Sequence, residues 1–349
     1  MRLNKIWEKS DLTGMIGIII AGTYLIRRIS VYFDISSVVG WILWGMLLNN
    51  SFRSQIGRLS NTIRSLGDVG LIVLMFISGV ASSHYFWKDN LQDTVVIALF
   101  GMIVPFLLGF TVMKLVGFST TVALITGICL AVTAESTNAQ ALLDSDLLES
   151  NTGSVIMGAG LIDDTIGVFL FALVIFTLQF KRVEIREFVF LALMMTSFIS
   201  GLFCQDAIKS WEGFTVLKET GLLLLVPFFF VSVGTQFHIK FRVKYFMIVA
   251  GLLLIAILGK VGGVLLTQPL VSLTSVELQT IGWGMNSRGA IGNALLLIAL
   301  RNGIIQEDLY SALVLVTIIT MLMFPFFLKI NKPQLLIRSQ DPNEIKKIG

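Results

Sequence analysis

The chain reads as an all-α polytopic membrane protein of about eleven transmembrane helices, built as an inverted repeat of five helices with two interrupted helices. Three observations predict this. The composition is 55% hydrophobic and only 14% charged over 349 residues, with a mean hydropathy of +0.85. Soluble domains carry about 25% charged residues, so a water-facing surface cannot be assembled from this chain. Apolar stretches of roughly bilayer length, about 20 residues, recur from end to end. Two of them, at matching places in the two halves, are broken near their centres by small and polar residues.

The first span is 12–29. Arg2, Lys5 and Lys9 precede it, and Arg27 and Arg28 stand where a cleaved leader would need small residues, so a retained helix is expected. Spans follow at 35–49, which is short, at 66–83, which opens near Asp68, and at 91–116. The span 119–144 is interrupted over Val132–Asn138 by Thr133, Ala134, Glu135, Ser136 and Thr137. The span 152–178 carries Asp163 and Asp164, and spans at 185–204 and 213–236 follow. Lys260 lies in 243–267. The span 276–300 is interrupted over Gly282–Gly289, and 308–329 is the last. Residues 330–349 form a polar tail too short for a folded domain.

The whole is read as one transporter domain: an extra first helix, a first repeat over 35–178 and a second over 185–329. An odd number of spans per repeat makes the second enter the membrane from the opposite side. Paired broken helices in such repeats point to a binding site near the bilayer midplane.

The remaining composition excludes other classes. The net charge of +4 is spread over short loops, with no basic stripe of the kind that binds nucleic acid. Cys129 and Cys204 lie in apolar segments and suit neither a metal site nor a disulfide framework. No cofactor is implied. Trp41, Trp44, Trp87 and Trp211 are expected at membrane interfaces. Counted over eleven spans, more lysines and arginines fall on the side of the N-terminus, which favours a cytoplasmic N-terminus.

Asp163 and Asp164 carry the functional argument. An ionised carboxylate in hydrocarbon costs several kcal/mol at least, so such residues face a partner or a water-filled cavity. Neighbours on a helix point about 100° apart. One can therefore face a cavity while the other faces a neighbouring helix. Their titrations are coupled. Gly158, Gly160, Thr165 and Gly167 leave room for a partner helix to approach. Two roles fit Lys260: snorkelling toward an interface, or pairing with one of the aspartates. Glu135 and Arg288 sit in the two interruptions. They either neutralise exposed helix ends, or each other, or take part in ion binding. Thr133, Ser136, Thr137, Asn138 and Asn286 supply the neutral oxygens that hard cations such as sodium prefer.

At these residues the chain resembles the monovalent cation:proton antiporter-2 family, bacterial sodium/hydrogen exchangers of the two-domain antiporter fold. The resembling stretches are SSVVGWILWGMLL (36–48), LGDVGLIVLMFISGV (66–80), GLIDDTIGVFLFAL (160–173), VPFFFVSVGTQF (226–237), LGKVGG (258–263) and GWGMNSRGAIGNALLLIAL (282–300). They run in family order. The resemblance implies a homodimer in a prokaryotic cell membrane, with a core domain that shifts like an elevator against a dimerisation domain. It implies that Asp164 is the main cation and proton carboxylate, and that Asp163 is the partner of Lys260. It implies that Thr133 with its neighbours and the segment around Arg288 are the crossed interruptions. Members with paired aspartates exchange two protons for one sodium and are electrogenic.

The chain departs from the family in three ways. Only 63 residues separate Asp164 from Pro227, where fuller members have two more helices, so this resembles a shortened member. The resemblance implies an external N-terminus, opposite to the basic-residue count. Glu135 is an acid in the first interruption that is not a general family feature.

Three other functions compete with sodium/proton exchange. Potassium/proton exchange is the nearest, although no G-x-G-x-x-G nucleotide-binding unit follows the last span. A proton-coupled organic solute transporter shares the broken-helix plan. An intramembrane aspartyl protease needs two carboxylates brought face to face from separate elements, which neighbours on one helix cannot do. A non-enzymatic exchanger of Na+ or K+ for H+ is the expectation.

Overall fold

The apolar stretches fold into fourteen α-helices in a computed structural model that describes residues 2–33, 35–81, 91–178, 185–209, 211, 213–239 and 242–339. Among the described residues, six helices are long and apolar enough to cross a membrane, and two shorter helices are strongly apolar. The chain divides into two compact units, each made of two segments.

Unit 1 takes Met1–Ser82 and Glu184–Ile239. It contains α1 (Arg2–Tyr32), α2 (Ser37–Ser51), α3 (Arg53–Ala81), α8 (Ile185–Lys209), α9 (Gly213–Thr220) and α10 (Val226–Thr235). Glycines set its closest helix pairs. A Cβ on Gly79 would come within 3.1 Å of Gly201 Cα, and one on Gly45 within 3.0 Å of Gly234 Cα. Small residues let backbones approach and gain dispersion contacts where lipid offers no hydrophobic drive. The α3–α8 contact is also held by Ser197 Oγ, which donates to Ile72 O at 2.9 Å.

Three expectations are corrected in unit 1. The third span begins at Arg53, not 66. Residues 53–65 are too polar to read as a span, but Ile56, Leu59, Ile63 and Leu66 recur at helical spacing and pack into one cluster with Ile19 and Phe228. The span 213–236 is not a uniform helix: α9 and α10 are joined by a π-helical turn at Gly221–Leu225. Pro227 lacks an N–H and its ring crowds the preceding turn, and a widened turn absorbs that. Trp41 is not an interfacial anchor. It is buried, and its Nε1 donates to Thr23 O at 3.0 Å. Trp87 lies outside the described residues.

Unit 2 takes Ser83–Val183 and Lys240–Gly349. It contains α4 (Leu91–Leu115), α5 (Thr120–Ala131), α6 (Glu135–Asp144), α7 (Asn151–Leu178), α11 (Val243–Leu265), α12 (Ser275–Asn286), α13 (Ala290–Arg301) and α14 (Glu307–Ser339). Its core gathers Ile97, Ile156, Leu278, Met285 and Phe324 from four of these helices. Each five-span group thus contributes its first two spans to unit 1 and its last three to unit 2.

Both interruptions fall in unit 2 and are narrower than the sequence suggests. The first is Val132–Ala134, because Glu135–Asn138 already belong to α6. The second is Ser287–Gly289, because Gly282–Asn286 stay helical at the end of α12. Short polar residues and glycines are tolerated in a helix that packs on its neighbours, so composition overstates the break. The tail also differs: α14 continues through Ser339, with Leu335 buried against the core.

Candidate functional site

Local sequence determines how the first break begins. Ser119 caps α5 by accepting from Val122 N at 3.3 Å. Twelve residues after Thr120 the backbone turns extended at Val132, whose φ is −77° and ψ 145°. The second broken helix starts with a capping box, in which Thr274 accepts from Glu277 N and the Glu277 carboxylate accepts from Thr274 N. It turns extended at Ser287.

The two breaks touch. Ala134 N donates to Ser287 O at 2.8 Å, and Asn138 Nδ2 donates to Gly284 O at 2.9 Å. The first bond satisfies backbone groups that the interrupted helices leave without internal partners, and the second adds a side-chain donor to a carbonyl that also accepts from Ser287 N. Gly289 makes the approach possible. A Cβ there would lie 2.6 Å from Ala134 Cβ and 2.7 Å from Ala134 Cα. Gly289→Ala is therefore expected to cost about 1–3 kcal/mol of stability and to lower transport. Thermal unfolding in detergent and flux in proteoliposomes would read both; unchanged values in both would show that the crossing is not tight.

Four charged side chains converge on this crossing. Asp163 and Lys260 are fully buried, Arg288 is 2% exposed and Asp164 is 7% exposed. Lys260 Nζ donates to Asp163 Oδ2 in a buried ion pair and to Thr133 Oγ1 at 2.9 Å. Thr133 Oγ1 lies 2.8 Å from Asp163 Oδ2 and 3.3 Å from Met285 O, so its one proton serves one of those acceptors at a time. One hydroxyl of the first break thus joins α7, α11 and the end of α12.

Sequence around Lys260 explains how a lysine reaches this depth. Gly259 faces Pro105 of α4, and a Cβ there would lie 2.6 Å from Pro105 Cα. The glycines seat α11 against α4, and the lysine stem runs inward from the packed face.

Arg288 is employed differently. Its Nη1 donates to Asn286 O at 2.8 Å and to Asn286 Oδ1 at 3.0 Å. Its Nη2 donates to Leu130 O at 2.9 Å and to Ala256 O at 3.2 Å. Leu130 and Asn286 close α5 and α12, so one guanidinium meets carbonyls at the negative ends of both broken helices. The side chains of Glu135 and Ser136 lie outside the described residues. Asn138 and Asn286 are both buried at the crossing.

Some participants were not singled out from sequence. The carbonyls of Met285 and Ser287 carry no side-chain signal, because any residue supplies them. Asn293 did leave one. It interrupts the apolar run of α13, is fully buried, and neither of its amide atoms has a hydrogen-bond partner among the described residues.

The arrangement brings two carboxylates, one ammonium, one guanidinium and several neutral oxygens to the crossing of two helix breaks. It suits a small cation or a proton, since the oxygens are hard donors and the formal charges of the two acids and two bases balance.

Comparison with known proteins agrees with the fold. Residues 15–211 and 185–330 match the family model described as sodium/hydrogen exchanger, transmembrane. The chain is 23% identical over 374 residues to a Na(+)/H(+) antiporter of Enterococcus hirae, covering 91% of this chain and 97% of that protein. It is 23% identical over 366 residues to the Na(+)/H(+)-K(+) antiporter GerN of Bacillus cereus, covering 90% of this chain and 94% of that protein. Among solved structures it is similar to the sodium proton antiporter MjNhaP1 of Methanocaldococcus jannaschii, with a TM-score of 0.67 at 14% identity. That similarity covers 94% of this chain and 99% of the other. Since the family match runs through nearly all of the membrane-spanning sequence, the chain belongs to the sodium/hydrogen exchanger family of monovalent cation:proton antiporters, multi-pass proteins of the cell membrane.

Proposed function

We propose that this protein exchanges Na+ for H+ by secondary active antiport, with Asp164 as the carboxylate that carries cation and proton in turn. The observation that carries this reading is the buried Lys260–Asp163–Thr133 cluster at the contact of two helix breaks, one residue from Asp164. Asp163 is held by Lys260, and the exchangeable charge in this reading is that of Asp164, its neighbour on α7. Sodium and protons compete for that charge, and either one offsets it. An offset carboxylate crosses the membrane interior at lower cost than an uncompensated one.

Sodium also needs further oxygen ligands. Asp163 Oδ1 and Asn138 Oδ1 are buried and have no hydrogen-bond partner among the described residues. An incoming cation that engages Asp163 releases Lys260, which can then give up its proton. Two protons then move against one sodium, and exchange is electrogenic. Every residue of the site belongs to unit 2. That is consistent with an elevator-like shift of this unit as one body, in a homodimer of the kind the family resemblance implies.

A second reading is potassium/proton exchange, favoured by the similarity to the B. cereus protein named for Na+, H+ and K+. Purified protein in proteoliposomes with a trapped pH dye separates the two. Sodium and lithium are expected to drive proton movement, and potassium to drive little. Equal responses to sodium and potassium would favour the second reading. No response to any monovalent cation would sink both.

A further inference from the structure

Away from the crossing, three segments of unit 2 enclose a cavity of about 480 Å³. They are the turn into α5, the first turns of α11, and the connection from α13 into α14. Arg242, Lys244 and Tyr245 line it from α11, and Gln306 and Asp308 from the start of α14. Apolar side chains, Ile248 among them, form the rest of the wall.

Tyr245 marks this cavity as a built site. It is 4% exposed, and its hydroxyl has no hydrogen-bond partner among the described residues. A buried tyrosine hydroxyl ordinarily finds a partner. Here it lines a cavity that also carries two exposed cations, at a helix N-terminus with its positive partial charge. These groups together call for an anion.

Depth and charge narrow the choice. Both α11 and α14 are of membrane-spanning length, so their first turns lie at the level of lipid headgroups. Two cations against the Asp308 carboxylate leave one net positive charge. That matches a singly charged phosphodiester better than a free phosphate dianion. Asp308 and Gln306 can accept from headgroup hydroxyls, and the apolar wall can take the start of an acyl chain. We propose that this cavity binds the headgroup of an anionic phospholipid, with phosphatidylglycerol as the fitting chemistry. The inference does not depend on the transport reading.

Native mass spectrometry of the full-length protein in neutral detergent would test it, with phosphatidylglycerol or phosphatidylethanolamine added. Wild type is expected to retain phosphatidylglycerol about tenfold better than phosphatidylethanolamine, and Arg242→Ala/Lys244→Ala to lose that preference. Tyr245→Phe should weaken retention while leaving the lipid-free melting temperature unchanged or raised, because it deletes an unpartnered hydroxyl. Soluble glycerol phosphate should not compete. Equal retention of both lipids, undiminished phosphatidylglycerol in the variants, or displacement by glycerol phosphate would each overturn the proposal.

Discussion

Asp164→Asn is expected to reduce sodium-driven proton movement to background while leaving the protein folded. The amide has the shape of the acid but cannot exchange a proton for a cation, so the cycle loses its carrier. Folding is spared because a neutral group replaces one that is costly to ionise in a buried place. Dye-loaded proteoliposomes and thermal unfolding in detergent measure the two halves of the claim. The proposed competition of sodium and proton for Asp164 predicts that lowering the pH weakens the apparent sodium affinity of the wild type, by up to about tenfold per unit for each competing proton. Wild-type exchange in the variant, or a pH-independent sodium affinity in the wild type, would remove Asp164 from its role.

Lys260→Ala is expected to be the most destabilising single change at the site. Lys260 and Asp163 are both fully buried and paired with each other. Removing one partner of such a pair typically costs about 3–5 kcal/mol, because the other charge stays buried without compensation. Removing both should be far milder. Asp163→Asn combined with Lys260→Met is therefore expected to recover most of the lost stability. The transport readout separates this from simple packing: without the Lys260 proton, exchange should become electroneutral and lose its voltage dependence. A double variant no more stable than Lys260→Ala, or one with wild-type current, would dissolve the proposed coupling.

These two variants probe different layers of what the sequence could reveal. Asp163, Asp164 and Lys260 stand out in any reading because charge in an apolar run is expensive wherever it ends up. The existence of the spans was legible for the same reason: lipid enforces length and polarity. Amphipathic and mixed segments were not. Arg53–Leu66 reads as a loop until Ile56 and Ile63 are seen packed against unit 1. The interruptions shrank to Val132–Ala134 and Ser287–Gly289 once tertiary contacts held the flanking polar residues in helices.

Arg288 shows the same limit. Its place in a break was visible, but the sequence left open whether it meets an acid or a helix end. The structure directs its Nη1 and Nη2 to the carbonyls of Asn286, Leu130 and Ala256, and to the amide oxygen of Asn286. Those partners are mostly backbone atoms, and a backbone carbonyl is the same at every position of the chain.

Sequence by itself determined that this protein lives in a bilayer, that it holds two neighbouring acids and a lysine there, and that its helices break at two related places. Hydrophobic length and the cost of buried charge act locally and leave their trace in composition and spacing. Only the tertiary structure decided that Thr133 and Lys260 meet Asp163, that Gly289 lies against Ala134, and that one arginine serves two helix ends. Those contacts join residues up to 158 positions apart, and their geometry depends on how glycines and carbonyls fit across helices.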